Sequence, residues 1–198
     1  MDKNNSQQDY FDGQAATWDD KQTTKDFKAI ENILELAGVT AGDEVLDVGA
    51  GTGVLLPSLL RKKIKGYTAV DFSEGMAKVF NQKFSGKKYF VADYQKKIFP
   101  ANSFDKIIIF NSFPHFTVPQ TIFTLSFSYL RANGKLVIAH SLTRQGLNEC
   151  HQKAGKEVQD DILLKSEDFI AYYQKAGFHK VSIQEDPFFF SQGSRLSL

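Results

Sequence analysis

Three glycines fall within five positions, Gly49, Gly51 and Gly53, in the stretch EVLDVGAGTGVL, and single carboxylates stand further on at Asp71 and Asp93. Glycines at the end of a strand leave backbone amides open to close approach by a ligand. One carboxylate can accept two hydrogen bonds from a pair of diol hydroxyls, and a second can accept from an exocyclic amine. Together these residue types describe a nucleoside site that demands no phosphate. The spacing argues the same way. A dinucleotide fingerprint wants G-x-G-x-x-G, but counted from Gly49 and Gly51 the third position is Val54, and the pattern is G-x-G-x-G. A Walker A loop, G-x-x-x-x-G-K-[ST], does not occur. Histidines at 115, 140, 151 and 179 are the side chains able to take a proton near neutral pH.

The elements that must position these groups can be read from the pattern of apolar runs. EVLDVG at 44–49, YTAV at 67–70, YFVAD at 89–93, DKIIIF at 105–110 and KLVIAH at 135–140 read as buried strands. Helices are expected between them at about 53–62, 73–84 and 118–131. Ser73 is the N-cap of the second and Pro57 sits in the first turn of the first, while Asn133 and Gly134 are expected to form a left-handed exit from the third. This alternation predicts βαβ units, a parallel sheet and helices on both faces. Ligands of such sheets bind at the carboxyl ends of the strands, where Gly49, Asp71 and Asp93 all fall. A helix from Ser166 to Ala176, closed by Gly177, precedes HKVSIQED and FFFSQGSRL, which predict an antiparallel hairpin around Pro187 at one sheet edge. Tyr10, Phe11 and Trp18 precede an amphipathic helix, Phe27–Leu36. The whole reads as one domain over 1–198, with residues 1–40 a helical cap and 41–198 the core.

EVLDVGAGTG, YTAVDFSEGM, VADYQKKIFPANSFDKIIIFNSFPHF and LRANGKLVIAHS resemble the successive motifs of class I S-adenosylmethionine-dependent methyltransferases. The likeness covers residues 10–140 and is nearest to the small-molecule group that includes ubiquinone and menaquinone biosynthesis methyltransferases. It implies a Rossmann-like, seven-stranded α/β sheet in the order 3-2-1-4-5-7-6 with strand 7 antiparallel, and S-adenosylmethionine as cofactor. By position it places Gly49, Ala50, Gly51 and Gly53 against the methionine part, with Asp47 beneath the loop. Asp71 would hold the ribose, Phe72 and Met76 the adenine, and Asp93 with Tyr94 the amino group. Asn111 and Ser112 would face the reacting methyl. Tyr10, Phe11 and Trp18 resemble the aromatic segment that closes over the cofactor in related enzymes.

Methyl transfer from a sulfonium asks chiefly for alignment and exclusion of water, with a base where the acceptor must lose a proton. His115 and His140 are the candidate bases or substrate binders. If 142–155 is helical, Arg144, Asn148 and His151 form one polar stripe opposite Leu147 and Cys150, able to close over a substrate. Phe113, Phe116 and Phe188–Phe190 are candidates for an apolar wall, against the competing role of core packing in a chain of 18 phenylalanines. A metal held by His115, His140 and His151 is not demanded by their spacing, and no metal is expected. The lone Cys150 excludes an internal disulfide and reads as a small buried hydrophobe.

A net charge of +1, with 24% charged residues, gives no electrostatic bias toward nucleic acid. The lysines of RKKIK at 61–65 and Lys87–Lys88 precede strands and fall at the far end of the sheet, and Lys96–Lys97 alone make a weak patch. No apolar run approaches the ~18 residues of a membrane span, and MDKNNSQQDY lacks a signal-peptide core. A cytoplasmic enzyme acting on a small molecule is expected, with a non-catalytic S-adenosylmethionine-binding subunit, or an RNA or protein methyltransferase, as the rival readings.

Overall fold

The computed structural model describes residues 3–153 and 156–197. Seven strands, β1 (Glu44–Val48), β2 (Gly66–Asp71), β3 (Lys88–Val91), β4 (Phe104–Phe110), β5 (Leu130–Ala139), β6 (His179–Gln184) and β7 (Phe190–Ser194), form a single sheet. Its order is β3-β2-β1-β4-β5-β7-β6. The first five strands run parallel, and β7 inserts antiparallel between β5 and β6, as the terminal hairpin predicts. Among the described residues seven α-helices accompany it: α1 (Lys3–Gln14), α2 (Thr24–Leu36), α3 (Leu56–Arg61), α4 (Glu74–Lys83), α5 (Pro119–Tyr129), α6 (Arg144–Gln152) and α7 (Ser166–Ala176). None of the described helices is long and apolar enough to cross a membrane.

The two-residue period of a strand explains why the central runs are apolar throughout. Leu46, Ile107, Ile109, Leu136 and Ile138 point to one face, where α5 and α7 bury Phe123, Phe169 and Tyr173. Val45, Ile108, Phe110 and Val137 point to the other, under Ile30 and Ile33 of α2, Leu56 and Leu59 of α3 and Phe80 of α4. With both faces covered, the polar groups at the strand ends lie at the rim.

Local signals act largely where the sequence puts them. The Ser73 hydroxyl accepts from the Met76 amide at 3.0 Å, and Pro57 occupies the first turn of α3. Thr23 and Asp26 form a reciprocal capping box on α2. Gly177, at φ +97°, ends α7.

Three boundaries differ from expectation. Residues 51–55 remain in turns, and α3 begins at Leu56, because Gly53 sits at φ +87° in the left-handed region. Helix α5 ends at Tyr129 and β5 starts at once, so Asn133 (φ +65°) bends a strand instead of ending a helix. The cause lies at the far end of the chain: the Asn133 amide donates to the Arg195 carbonyl at 2.6 Å, and the Arg195 guanidinium donates to the Leu130 carbonyl at 2.6 Å. Helix α6 stops at Gln152, and positions 154 and 155 of the expected helix lie outside the described residues.

Candidate functional site

A cavity of about 570 Å3 opens where β1, β2, β3 and β4 end, lined in turn by Gly49–Thr52, Asp71–Phe72, Val91–Lys96 and Asn111–Ser112. The glycine loop turns back on the sheet, the amides of Gly49 and Ala50 donating to the Val70 carbonyl at 2.8 and 3.2 Å. Gly49 lies at φ +66°, and a Cβ there would come within 2.5 Å of the Ser112 Cβ, so the two strand ends approach closely only because this residue is glycine. Gly53 has a different task. A Cβ on it would meet the Phe80 ring at 2.6 Å, which makes this glycine a packing contact between loop and α4, outside the cavity lining.

Asp71 organises the rim. Its two carboxylate oxygens accept from the Gly51 and Ser73 amides, each at 2.9 Å, so one side chain ties the glycine loop to the start of α4. Burial raises its pKa, against the lowering effect of those amides. Asp47 lies beneath the loop, 2% exposed and away from the cavity, where it accepts from the Tyr67 hydroxyl at 2.8 Å. Burial pushes its pKa up to about 7. Phe72 and Met76 line the cavity beside Asp71. Asp93 presents one oxygen to the Gln95 amide at 2.9 Å, and its second has no hydrogen bond among the described residues. Tyr94 borders the cavity, while its hydroxyl turns into the core to meet Ser126 at 2.8 Å. Asn111, at φ +53°, joins the ends of β4 and β5 by accepting from the Ser141 amide at 2.9 Å, and the Ser112 hydroxyl donates to the Val48 carbonyl at 3.2 Å.

The N-terminal segment covers this rim. Gln7, Gln8 and Phe11 of α1 line the cavity with Trp18 from the 3-10 turn Ala15–Lys21. Phe11 packs with Met76 and Val158, and Tyr10 and Trp18 flank that cluster without Tyr10 reaching the cavity. Two acids pin the segment down. Asp12 accepts from the Gly75 amide at 2.9 Å and from the Ser73 hydroxyl, and Asp19 accepts from the Thr52 hydroxyl and Lys83.

The histidines separate. His115, in the 3-10 turn Phe113–His115, lines the cavity, with Phe11 at 5.0 Å and His151 at 5.3 Å between ring centroids. Its Nδ1 lies 2.6 Å from Oδ2 of Asp161. His140 is fully buried outside the cavity, and neither ring nitrogen has a partner among the described residues. Burial holds its pKa well below the ordinary histidine value. Among the described residues no group of three or more His, Cys, Asp or Glu side chains could hold a metal ion.

The polar stripe of α6 points elsewhere than the cavity. Arg144 pairs with Glu185 and Ser166, Asn148 accepts from the Leu163 amide at 3.0 Å, and His151 Nδ1 bonds the Asp161 carbonyl. Leu147 lies on the same inward side, and Cys150 is exposed, so the expectation of a buried cysteine opposite the stripe is corrected: the face that packs is the polar one. Phe113 is core, packed edge-on to Phe123 and tilted against Phe169. Asp161 and Gln7 are the groups that sequence reasoning missed. Asp12 and Asp19, beside the aromatics already singled out, carried a readable signal, whereas Asp161 sits in a stretch with no periodicity.

A methyltransferase domain family matches residues 46–138. The chain is 32% identical over 159 residues to an uncharacterized methyltransferase of Bacillus velezensis, an alignment covering 74% of this chain and 72% of that protein. It is 27% identical over 169 residues to the phosphoethanolamine N-methyltransferase of Triticum aestivum, covering 83% of this chain and 32% of the plant protein, so it spans about a third of that relative. Among solved structures, a chain from the complex between the Haloferax volcanii Trm112 methyltransferase activator and a methyltransferase superposes with a TM-score of 0.81 at 17% identity, covering 94% of this chain and 98% of that one. The strand order and the match over most of the Bacillus protein lead to one conclusion: the chain belongs to the class I S-adenosylmethionine-dependent methyltransferase family.

Proposed function

We propose that the enzyme transfers a methyl group from S-adenosylmethionine to a small-molecule acceptor, one with an apolar or aromatic portion as in the ubiquinone-type group it resembles. The observation that carries this reading is the roof of the cavity. Gln7, Phe11 and Trp18 cover a space of about 570 Å3 whose floor holds the glycine loop and the acids, a shape suited to a small molecule and poorly suited to a polymer strand. The name of the Triticum aestivum relative, a phosphoethanolamine N-methyltransferase, supports the same class.

The residues present fit the cofactor. The loop at Gly49 and Gly51 borders the cavity, where a Cβ on Gly51 would stand 3.9 Å from Met76 Sδ and Trp18 Nε1, and Asp71 offers lone pairs beyond the two amides it already accepts. In this reading Gly49, Ala50 and Gly51 hold the methionine part, Asp71 the ribose hydroxyls, Phe72 and Met76 the adenine face, and Asp93 with the backbone of Tyr94 the adenine amino group. Asn111 and Ser112 border the reacting side. When bound, the cofactor supplies a sulfonium methyl open to in-line displacement. His115, from the rim, takes the proton of the incoming acceptor. Phe11 and Trp18 exclude water as α1 and the 3-10 turn act as a lid.

The test is transfer of a radiolabelled methyl from S-adenosylmethionine to a panel of small amines, phenols and quinols, with bulk RNA and protein run alongside. Label in a small molecule, lost in His115→Gln, is expected. Label confined to RNA or protein would overturn the acceptor class.

A further inference from the structure

Asp161 is a buried carboxylate, 2% exposed, that belongs to neither the glycine loop nor any strand end. Its Oδ2 is met from two directions: by His115 Nδ1 at 2.6 Å and by the Gln7 side-chain amide of α1 at 2.8 Å. Its placement is prepared in the backbone. The Asp161 amide donates to the Val158 carbonyl at 3.0 Å, the Asp161 carbonyl is bonded by His151, and Asn148 and Arg144 hold the Leu163 backbone on either side of the peptide, at 3.0 and 3.4 Å. The polar stripe of α6 therefore serves to fix one short segment and the carboxylate it bears.

That carboxylate decides what His115 can do. An ionised carboxylate only accepts, so a neutral His115 must carry its proton on Nδ1, and the lone pair falls on Nε2. Nε2 has no hydrogen bond among the described residues, and the ring borders the cavity. The Phe11 and His151 rings pack against it, at 5.0 and 5.3 Å between centroids.

We propose that Asp161 is the positioning residue of the methyl transfer: it fixes His115 with Nε2 as the basic nitrogen at the cavity, and it receives Gln7 when the lid is down. This rests on the reading of His115 as the proton acceptor. As the acceptor atom bonds to the methyl carbon, the carbon–sulfur bond breaks with its electron pair going to sulfur, and the acceptor's proton passes to Nε2. The imidazolium so formed has its Nδ1–H already paired with Asp161.

The full chain, 15N-labelled and saturated with S-adenosylhomocysteine, provides the test without an acceptor in hand. Long-range proton–nitrogen NMR spectra near pH 8, above the ordinary histidine range, report the tautomer of each ring, with His115→Gln giving the assignment. The wild-type protein is expected to show His115 protonated on Nδ1, and Asp161→Ala to lose that preference while S-adenosylhomocysteine affinity stays within threefold. Gln7→Ala is expected to keep it. A wild-type His115 protonated on Nε2, or an unchanged tautomer in Asp161→Ala, would overturn the proposal. Should Asp161→Ala unfold, the wild-type spectrum alone still decides, and Asp161→Glu, which restores a carboxylate, is expected to recover the Nδ1–H form. With an acceptor identified, Asp161→Ala is expected to lower kcat by about 100-fold, the scale of general base catalysis. If His115→Gln retains full turnover while the Nδ1–H tautomer stands, the base reading fails and the positioning geometry survives.

Discussion

Asp71 holds two backbone amides while lining a cavity, so its removal has two effects that must be separated. Asp71→Ala takes away the proposed ribose acceptor and leaves the Gly51 and Ser73 amides without this carboxylate, and is expected to cost cofactor affinity and fold stability together. Asp71→Asn keeps a carbonyl oxygen and loses the charge. It is expected to weaken S-adenosylhomocysteine by about 1.5–3 kcal/mol, the worth of charged hydrogen bonds, with a smaller change in stability. Calorimetric titration beside urea denaturation checks both. At this scale the glycines and acids were legible because each follows a recognisable strand and carries its chemistry in its own residue type. Asp161 was not legible, because its pairing with Gln7 spans 154 positions and is made only by the fold. His140 shows a related limit: its place at the end of β5 could be read, but the complete burial of its ring could not.

At the scale of elements, the packing of the loop after β1 against α4 depends on a residue outside the cavity lining. Gly53→Ala would set a methyl 2.6 Å from the Phe80 ring at φ +87°. It is expected to destabilise the protein by about 1–3 kcal/mol through overpacking, measured by urea denaturation, and to weaken the cofactor only through movement of the loop. The proposed lid offers its own probe, because Trp18 is the single tryptophan and lies at the cavity. Its fluorescence is expected to shift on titration with S-adenosylhomocysteine and to lose that response in Asp19→Ala, which frees the 3-10 turn from Thr52 and Lys83. An unresponsive tryptophan in a protein that binds the ligand by calorimetry would show that the segment is fixed packing. Element types were legible from periodicity, and the misplaced boundary at Asn133 has a physical cause. Asn-Gly suits a helix exit and a strand bend equally, and Arg195, 62 residues on, selects the bend.

Across the whole molecule, buried titratable groups set how stability follows pH. His140 and His151 both have folded pKa values lowered first by burial, so the unfolded chain binds their protons more readily. Their neutral forms contribute stability that is complete above about pH 6.5, the ordinary histidine value, and is lost as pH falls below it. Asp47 acts in the opposite sense: raised to about 7, it takes up a proton in the folded state as pH falls through that value, which favours the fold on the acid side. His140→Leu is therefore expected to flatten the decline in stability between about pH 6.5 and 5, followed by urea midpoints across that range, and an unchanged slope would show that His140 is not the group responsible. The anchoring of α1 has a further consequence, in time. On the lid reading, Asp12, Asp19 and Gln7 must all let go before S-adenosylhomocysteine can leave. Acceptor and donor must then enter in a fixed order, and steady-state turnover should be governed by the residence time of the spent donor, with a burst of product in the first cycle.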